Sequence, residues 1–83
     1  MKRYRYETTI WRDNNPEKFH EACARIEQTY PHAQKEDLLI DVDGSLIQVY
    51  RIEGKKAVIY DDYDVGGVFA LSEIDLSWLI GNG

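Results

Sequence analysis

DLLIDVDGSLIQVYRIEGKKAVIYDD, residues 37–62, holds the longest succession of apolar runs and turn residues in the chain. Two turn signals divide it, Asp43-Gly44 and Glu53-Gly54, and three apolar runs flank them. Asp-Gly is the stronger signal, because tight hairpin turns require positive φ and both residues tolerate it. The stretch therefore predicts a three-stranded antiparallel meander. With two-residue loops, Val42 faces Ser45 and Ile52 faces Lys55. Ile40 then opposes Ile47, which opposes Tyr60, and Leu38 opposes Val49, which opposes Val58. That face is almost wholly apolar and is expected to lie against a helix. The second face carries Leu39, Gln48 and Ile59 in one row and Asp41, Leu46 and Asp61 in the next, with Tyr50 and Ile52 beside them. It is half apolar and half acidic, and is expected to look outward.

Working toward the N-terminus, residues 3–12 read as a strand with Tyr4, Tyr6, Thr8 and Ile10 on one face and Arg3, Arg5, Glu7 and Thr9 on the other. Trp11 breaks the alternation. Asn15 can accept hydrogen bonds from the free N–H groups of a helix start, and Pro16 suits the first helical position. Phe19, Ala22, Cys23, Ile26 and Tyr30 then recur as one stripe of an amphipathic helix. Pro31 closes it, since a residue before proline disfavours helical backbone. Beyond the meander, Val65-Gly66-Gly67 reads as a turn and Val68-Phe69-Ala70-Leu71 as a short strand. Ser72 is placed to cap a last helix, with Asp75 in a weak capping box, Leu71 stapled to Leu76, an apolar face of Ile74, Trp78 and Leu79, and Gly81 at its end. Residues 1–83 are thus expected to form a single small α+β domain of order β-α-β-β-β-(β)-α, an antiparallel sheet with the first helix packed on one face.

The succession of helix, three-stranded meander and second helix resembles the topology of double-stranded RNA-binding domains, preceded here by an extra strand. Such domains face phosphates with a basic second helix. Residues 72–80 hold Glu73 and Asp75 and no Lys or Arg, so the resemblance implies no RNA-binding function. Leu38-Leu39-Ile40-Asp41-Val42-Asp43-Gly44-Ser45 is similar to the hydrophobic-Asp-x-Asp-Gly-Thr signature of haloacid-dehalogenase-type phosphatases. In that family Asp41 would be the nucleophile and Asp43 the acid/base. The alternation that continues through residues 46–50 marks a hairpin instead, and 83 residues cannot hold that family's α/β sheet. Asp41-x-Asp43-Gly44 also begins like a calcium loop, but Ile52 stands where such a loop needs its bidentate glutamate.

Composition bounds the remaining possibilities. No apolar run approaches the roughly 20 residues of a membrane span, and the basic start, Met1-Lys2-Arg3-Tyr4-Arg5-Tyr6, leads into no apolar stretch. The single cysteine, Cys23, cannot form an internal disulfide, which points to a reducing, cytoplasmic home. On the core stripe it is expected to act as a small hydrophobe. His20, three residues earlier, is expected at the surface. Net charge is −5 and unevenly spread, with +2 on residues 1–35 and −7 on residues 36–83. An acidic half opposes binding to a phosphate backbone, which needs Lys and Arg.

Tyr60-Asp61-Asp62-Tyr63-Asp64 closes the meander with three carboxylates and two phenols. Charge and flat contact area together suit a cationic partner. Asp41, Asp61, Asp62 and Asp64 are the expected ion-pairing residues, and Tyr50, Tyr60 and Tyr63 the expected contact residues. With no nucleophile–base set, phosphate cradle or ligand cluster in view, no enzyme activity, metal or cofactor is expected. The chain reads as an acidic binding protein that occludes a basic protein partner, without binding nucleic acid or membrane itself. Immunity proteins, antitoxins and anti-defence inhibitors are of this kind. The alternative is a structural homodimer formed through the second face or an edge of the sheet.

Overall fold

The computed structural model describes residues 4–80, so Arg3 of the expected first strand and Gly81 at the expected end of the last helix lie outside the described residues. Strand β1 (Tyr6–Trp11) leads to helix α1 (Pro16–Thr29). The short strands β2 (Gln34–Lys35) and β3 (Leu39–Ile40) follow, then the long pair β4 (Leu46–Ile52) and β5 (Lys55–Asp62) and finally β6 (Gly67–Ser72). All pairings are antiparallel, in the order β1-β6-β5-β4-β2, with β3 sharing the outer edge of β4. One helix on an antiparallel sheet is the α+β architecture expected. The last element is a single 3-10 turn at Ser77–Leu79 rather than an α-helix. β6 extends through Ser72, whose hydroxyl accepts the Ile74 N–H at 3.0 Å, and Asp75 takes the Ser77 N–H at 2.9 Å.

Helix α1 forms as its sequence directs. The Asn15 side chain accepts the Lys18 N–H at 3.1 Å, Pro16 opens the first turn, and the Tyr30 N–H closes the last one onto the Ile26 carbonyl at 2.8 Å. Phe19, Ala22, Cys23 and Ile26 are all buried. The β4–β5 hairpin also has the expected register, with Ile47 opposite Tyr60, Val49 opposite Val58 and Ile52 opposite Lys55. Glu53 and Gly54 both take positive φ, 52° and 82°, as the two-residue turn demands.

The first turn differs. Gly44 N–H bonds the Asp41 carbonyl at 3.0 Å and Asp41 N–H bonds the Ser45 carbonyl at 2.9 Å, so the loop holds Val42, Asp43 and Gly44. Gly44, at φ 93°, is the left-handed residue that follows the turn in three-residue hairpins. The extra residue moves the register by one, and Leu39 faces Ile47 while Ile40 faces Leu46. The expected pairs Ile40–Ile47 and Leu38–Val49 therefore do not form.

Helix α1 also covers the opposite face from the one expected. Gln48, Tyr50, Ile52, Ala57, Ile59 and Asp61 lie beneath it, joined by Val68 and Ala70 of β6 and by Leu76 and Leu79. Both faces of β4 and β5 are apolar, so alternation alone did not choose between them. Small side chains at Ala57 and Ala70 admit the helix, and the Tyr50 hydroxyl finds partners on it. At the end of β1 a bulge between Thr9 and Trp11 keeps Trp11 beside α1, where the Lys18 ammonium lies 4.5 Å from its ring centroid.

Candidate protein-docking surface

The β3–β4 loop and the exit of β5 come together at one end of the sheet. Ser45 is the pin between them. Fully buried, it accepts the Tyr63 N–H on its hydroxyl at 2.9 Å and donates its own N–H to Asp43 Oδ1 at 2.9 Å. The Tyr63 ring packs against Gly44, where an added Cβ would meet ring carbons at 3.5 Å. Asp62 shapes the next turn, with Oδ1 accepting the Asp64 and Val65 N–H groups at 2.9 and 3.2 Å and its carbonyl accepting Gly66 N–H at 2.9 Å. The Asn14 amide reaches the same carbonyl at 2.5 Å and ties this end to the start of α1.

Of the seven residues singled out from sequence, five gather here. Asp41, Tyr63 and Asp64 are exposed, and Tyr60 and Asp62 are half-buried. The Tyr60 phenol is pushed above its ordinary range, first by burial and then by the negative charges of Asp62, Asp41 and Asp43. Hydrogen bonds from Ser45 hold the Asp43 carboxyl below the usual carboxylate range. None of the ion pairs among the described residues, Lys18–Glu21, Lys35–Glu27 and Arg51–Glu36, involves these aspartates.

Tyr50 and Asp61 are corrections, since both are fully buried and offer no surface to a partner. Parity along each strand explains this, because the face expected to look outward is the one under α1. The Tyr50 hydroxyl donates to Glu27 Oε2 at 2.6 Å and reaches the Cys23 carbonyl at 3.4 Å, while Lys35 sits 3.0 Å from the same glutamate oxygen. These bonds hold the Glu27 carboxyl below its ordinary range, and burial, reinforced by the bond to Glu27, pushes the Tyr50 phenol up. Asp61 Oδ1 accepts the Asn15 N–H at 3.2 Å, fastening β5 to the helix start, and Oδ2 has no partner among the described residues.

Sequence reasoning placed Leu39 outward but missed the rest of the apolar half of the surface. Beside the carboxylates stand Leu39 at 54% exposure, Ile40 at 68%, a fully exposed Val42 and Val65 at 71%, with Leu38 close behind. The available signal was the run Leu38-Leu39-Ile40, which does not alternate and borders a glycine turn on a sheet edge. This end thus offers aspartates that pair with no cation among the described residues, exposed aliphatics and one tyrosine ring. It has the chemistry of a contact surface.

Catalytic and metal chemistry find less to work with. No group of three or more His, Cys, Asp or Glu side chains is placed to hold a metal ion among the described residues. Cys23 is buried, and that burial raises its thiol to about 11, away from the thiolate that reacts. His20 packs edge-on against Phe19 at 5.1 Å. A groove of about 460 Å³ at the far end, lined by Tyr30, His32, Arg51 and Glu53, brings no nucleophile to a base. No described helix is long and apolar enough to cross a membrane. Comparison with protein-family models, curated proteins and solved structures finds no match to this chain.

Proposed function

We propose that this protein is a small, non-catalytic binding module whose acidic end docks on and occludes a basic surface of a partner protein. The observation that carries the reading is the co-location of Asp41, Asp43 and Asp64 with exposed Ile40, Val42 and Tyr63 at one end of the sheet. The carboxylates steer a cationic partner and pair with its Lys and Arg. The aliphatics and the tyrosine supply the desolvated contact that holds it. Basic protein surfaces of this kind commonly serve to hold phosphates, which makes a nucleic-acid-handling protein the preferred target and inhibition, in the manner of an immunity protein, antitoxin or anti-defence factor, the preferred outcome.

The test begins with capture of partners from an extract of the source cells by the wild-type chain. Association rates are then measured for the chain carrying Asp41→Asn, Asp43→Asn and Asp64→Asn together. The variant should associate about tenfold more slowly at low salt, with the difference closing near ~0.5 M salt. Association at the wild-type rate in low salt would overturn the reading.

A further inference from the structure

Strands β4, β5 and β6 are apolar on both faces, although α1 covers only one. Ile47, Tyr60 and Phe69 form one cross-strand row on the other face, and Val49, Val58 and Leu71 form the next. Antiparallel sheets with one solvated face alternate apolar with polar residues, and apolar residues on both faces mark strands covered on both sides. Here the core gathers α1, Leu76 and Leu79 on one side, and the residues of the other face lie outside that cluster, with Val49 and Val58 buried and Ile47, Tyr60, Phe69 and Leu71 half-buried around them. Phe69 folds down along its strand onto Gly67, where an added Cβ would come within 2.7 Å of the ring, so its phenyl group lies low on the sheet.

We infer that this open face is the interface of a two-fold homodimer, a sheet-on-sheet sandwich of two copies of the chain. The charges on the face say how the copies align. Its cations, Lys56 and Arg51, pair across β5 and β4 at one end. Glu36 lies 3.3 Å from Arg51, and Glu73 accepts the Lys56 backbone N–H at 3.0 Å; neither leaves the Lys56 ammonium in an ion pair among the described residues. Asp62 stands at the other end, about 20 Å along the same strand, with Asp41 and Asp43 near the Tyr60 phenol. Glu7, opposite Leu71, lies at the β1 side. A two-fold axis in the interface and perpendicular to the strands sets the Lys56 end of each copy over the Asp62 end of the other. The alternative axis, along the strands, would stack aspartates on aspartates. Four strands of six to eight residues, with the short β2 and β3 at the edge, give a footprint of ~500 Å² per copy, so the pair reaches the roughly 1,000 Å² that a specific interface needs. The arrangement goes beyond the docking reading, because Val42, Tyr63 and Asp64 are exposed in the turns beyond the strand ends and a dimer would present two such ends.

Sedimentation equilibrium of the purified full chain tests it. The wild type should sediment at twice the chain mass, with a dissociation constant below ~100 μM. Leu71→Lys should sediment as a monomer with an unchanged far-ultraviolet circular dichroism spectrum. Lys56→Glu should weaken the dimer about tenfold or more at low salt. Combining it with Asp62→Lys should restore the dimer, a rescue that the ~20 Å separation within one chain cannot produce. A monomeric wild type at ~1 mM, a Leu71→Lys dimer of wild-type affinity, an undiminished Lys56→Glu dimer, or a double variant no tighter than Lys56→Glu would each overturn the inference.

Discussion

The two faces of the central sheet are cut from the same three strands and differ in kind. Under α1 lie small residues, Ala57, Ala70 and Ser72, and polar tips that find partners, Tyr50 on Glu27 and Gln48 on the Glu36 carbonyl. The open face holds Tyr60, Phe69 and Leu71, half-buried, beside the buried Val49 and Val58. Apolar character does not separate the two. Room for a helix backbone, and hydrogen bonds for the polar atoms taken out of water, do.

Removing side chains from each face separates the two most strongly. Phe19→Ala, which hollows the covered side, should cost about 3–5 kcal/mol, while Ile47→Ala on the open side should cost the isolated chain about 1 kcal/mol, both read from denaturant midpoints. A smaller effect comes from the polar tip. Tyr50→Phe should cost about 1.5–3 kcal/mol, because it removes a hydrogen bond to a charged group. It should also alter the acid response. Glu27 is held below its ordinary value of 4.5, so its contribution is present above that pH and is lost as pH falls through the folded value. Thermal midpoints of the wild type should fall on acidification below about 4.5, and those of Tyr50→Phe should fall less, since the lost hydroxyl is the largest cause of the shift. Cys23 acts on the alkaline side. Its thiol is raised from 9.0 to about 11, so its contribution holds below 9.0 and is lost as pH rises toward 11. The smallest effect belongs to the acidic end. Neutralising Asp41, Asp43 and Asp64 to Asn should leave the denaturant midpoint nearly unchanged, since exposed charges contribute little and asparagine keeps the turn acceptor.

What the sequence made legible follows from the same physics. Helix α1 was readable because Asn15, Pro16 and the Phe19–Ile26 stripe act locally, and the β4–β5 register because Glu53-Gly54 permits one tight turn. The first turn was misread by one residue, since Asp-Gly serves a three-residue loop as well as a two-residue one. The faces were exchanged because Ile47, Val49 and Val58 are as apolar as Tyr50, Ile52 and Ile59. That exchange turned Tyr50 and Asp61 from expected contacts into buried residues. Asp41, Tyr63 and Asp64 escaped it because they stand in turns, where strand parity does not apply. Leu39 was expected outward, but the exposure of Leu38, Ile40 and Val42 was hidden by the strand assumed there, of which only Leu39–Ile40 forms.

Ile47 on the open face of β4 and Ile59 on the covered face of β5 allow the same substitution to be made on each side of the sheet. Chemical unfolding of Ile47→Thr and Ile59→Thr, at the lowest protein concentration the signal permits, compares the two faces. A loss of about 2–4 kcal/mol is expected for Ile59→Thr, which sets a hydroxyl against α1, and about 1 kcal/mol for Ile47→Thr, whose half-buried site leaves the hydroxyl in reach of water. Equal losses, or a larger loss at Ile47, would contradict the placement of α1 on the Ile59 face.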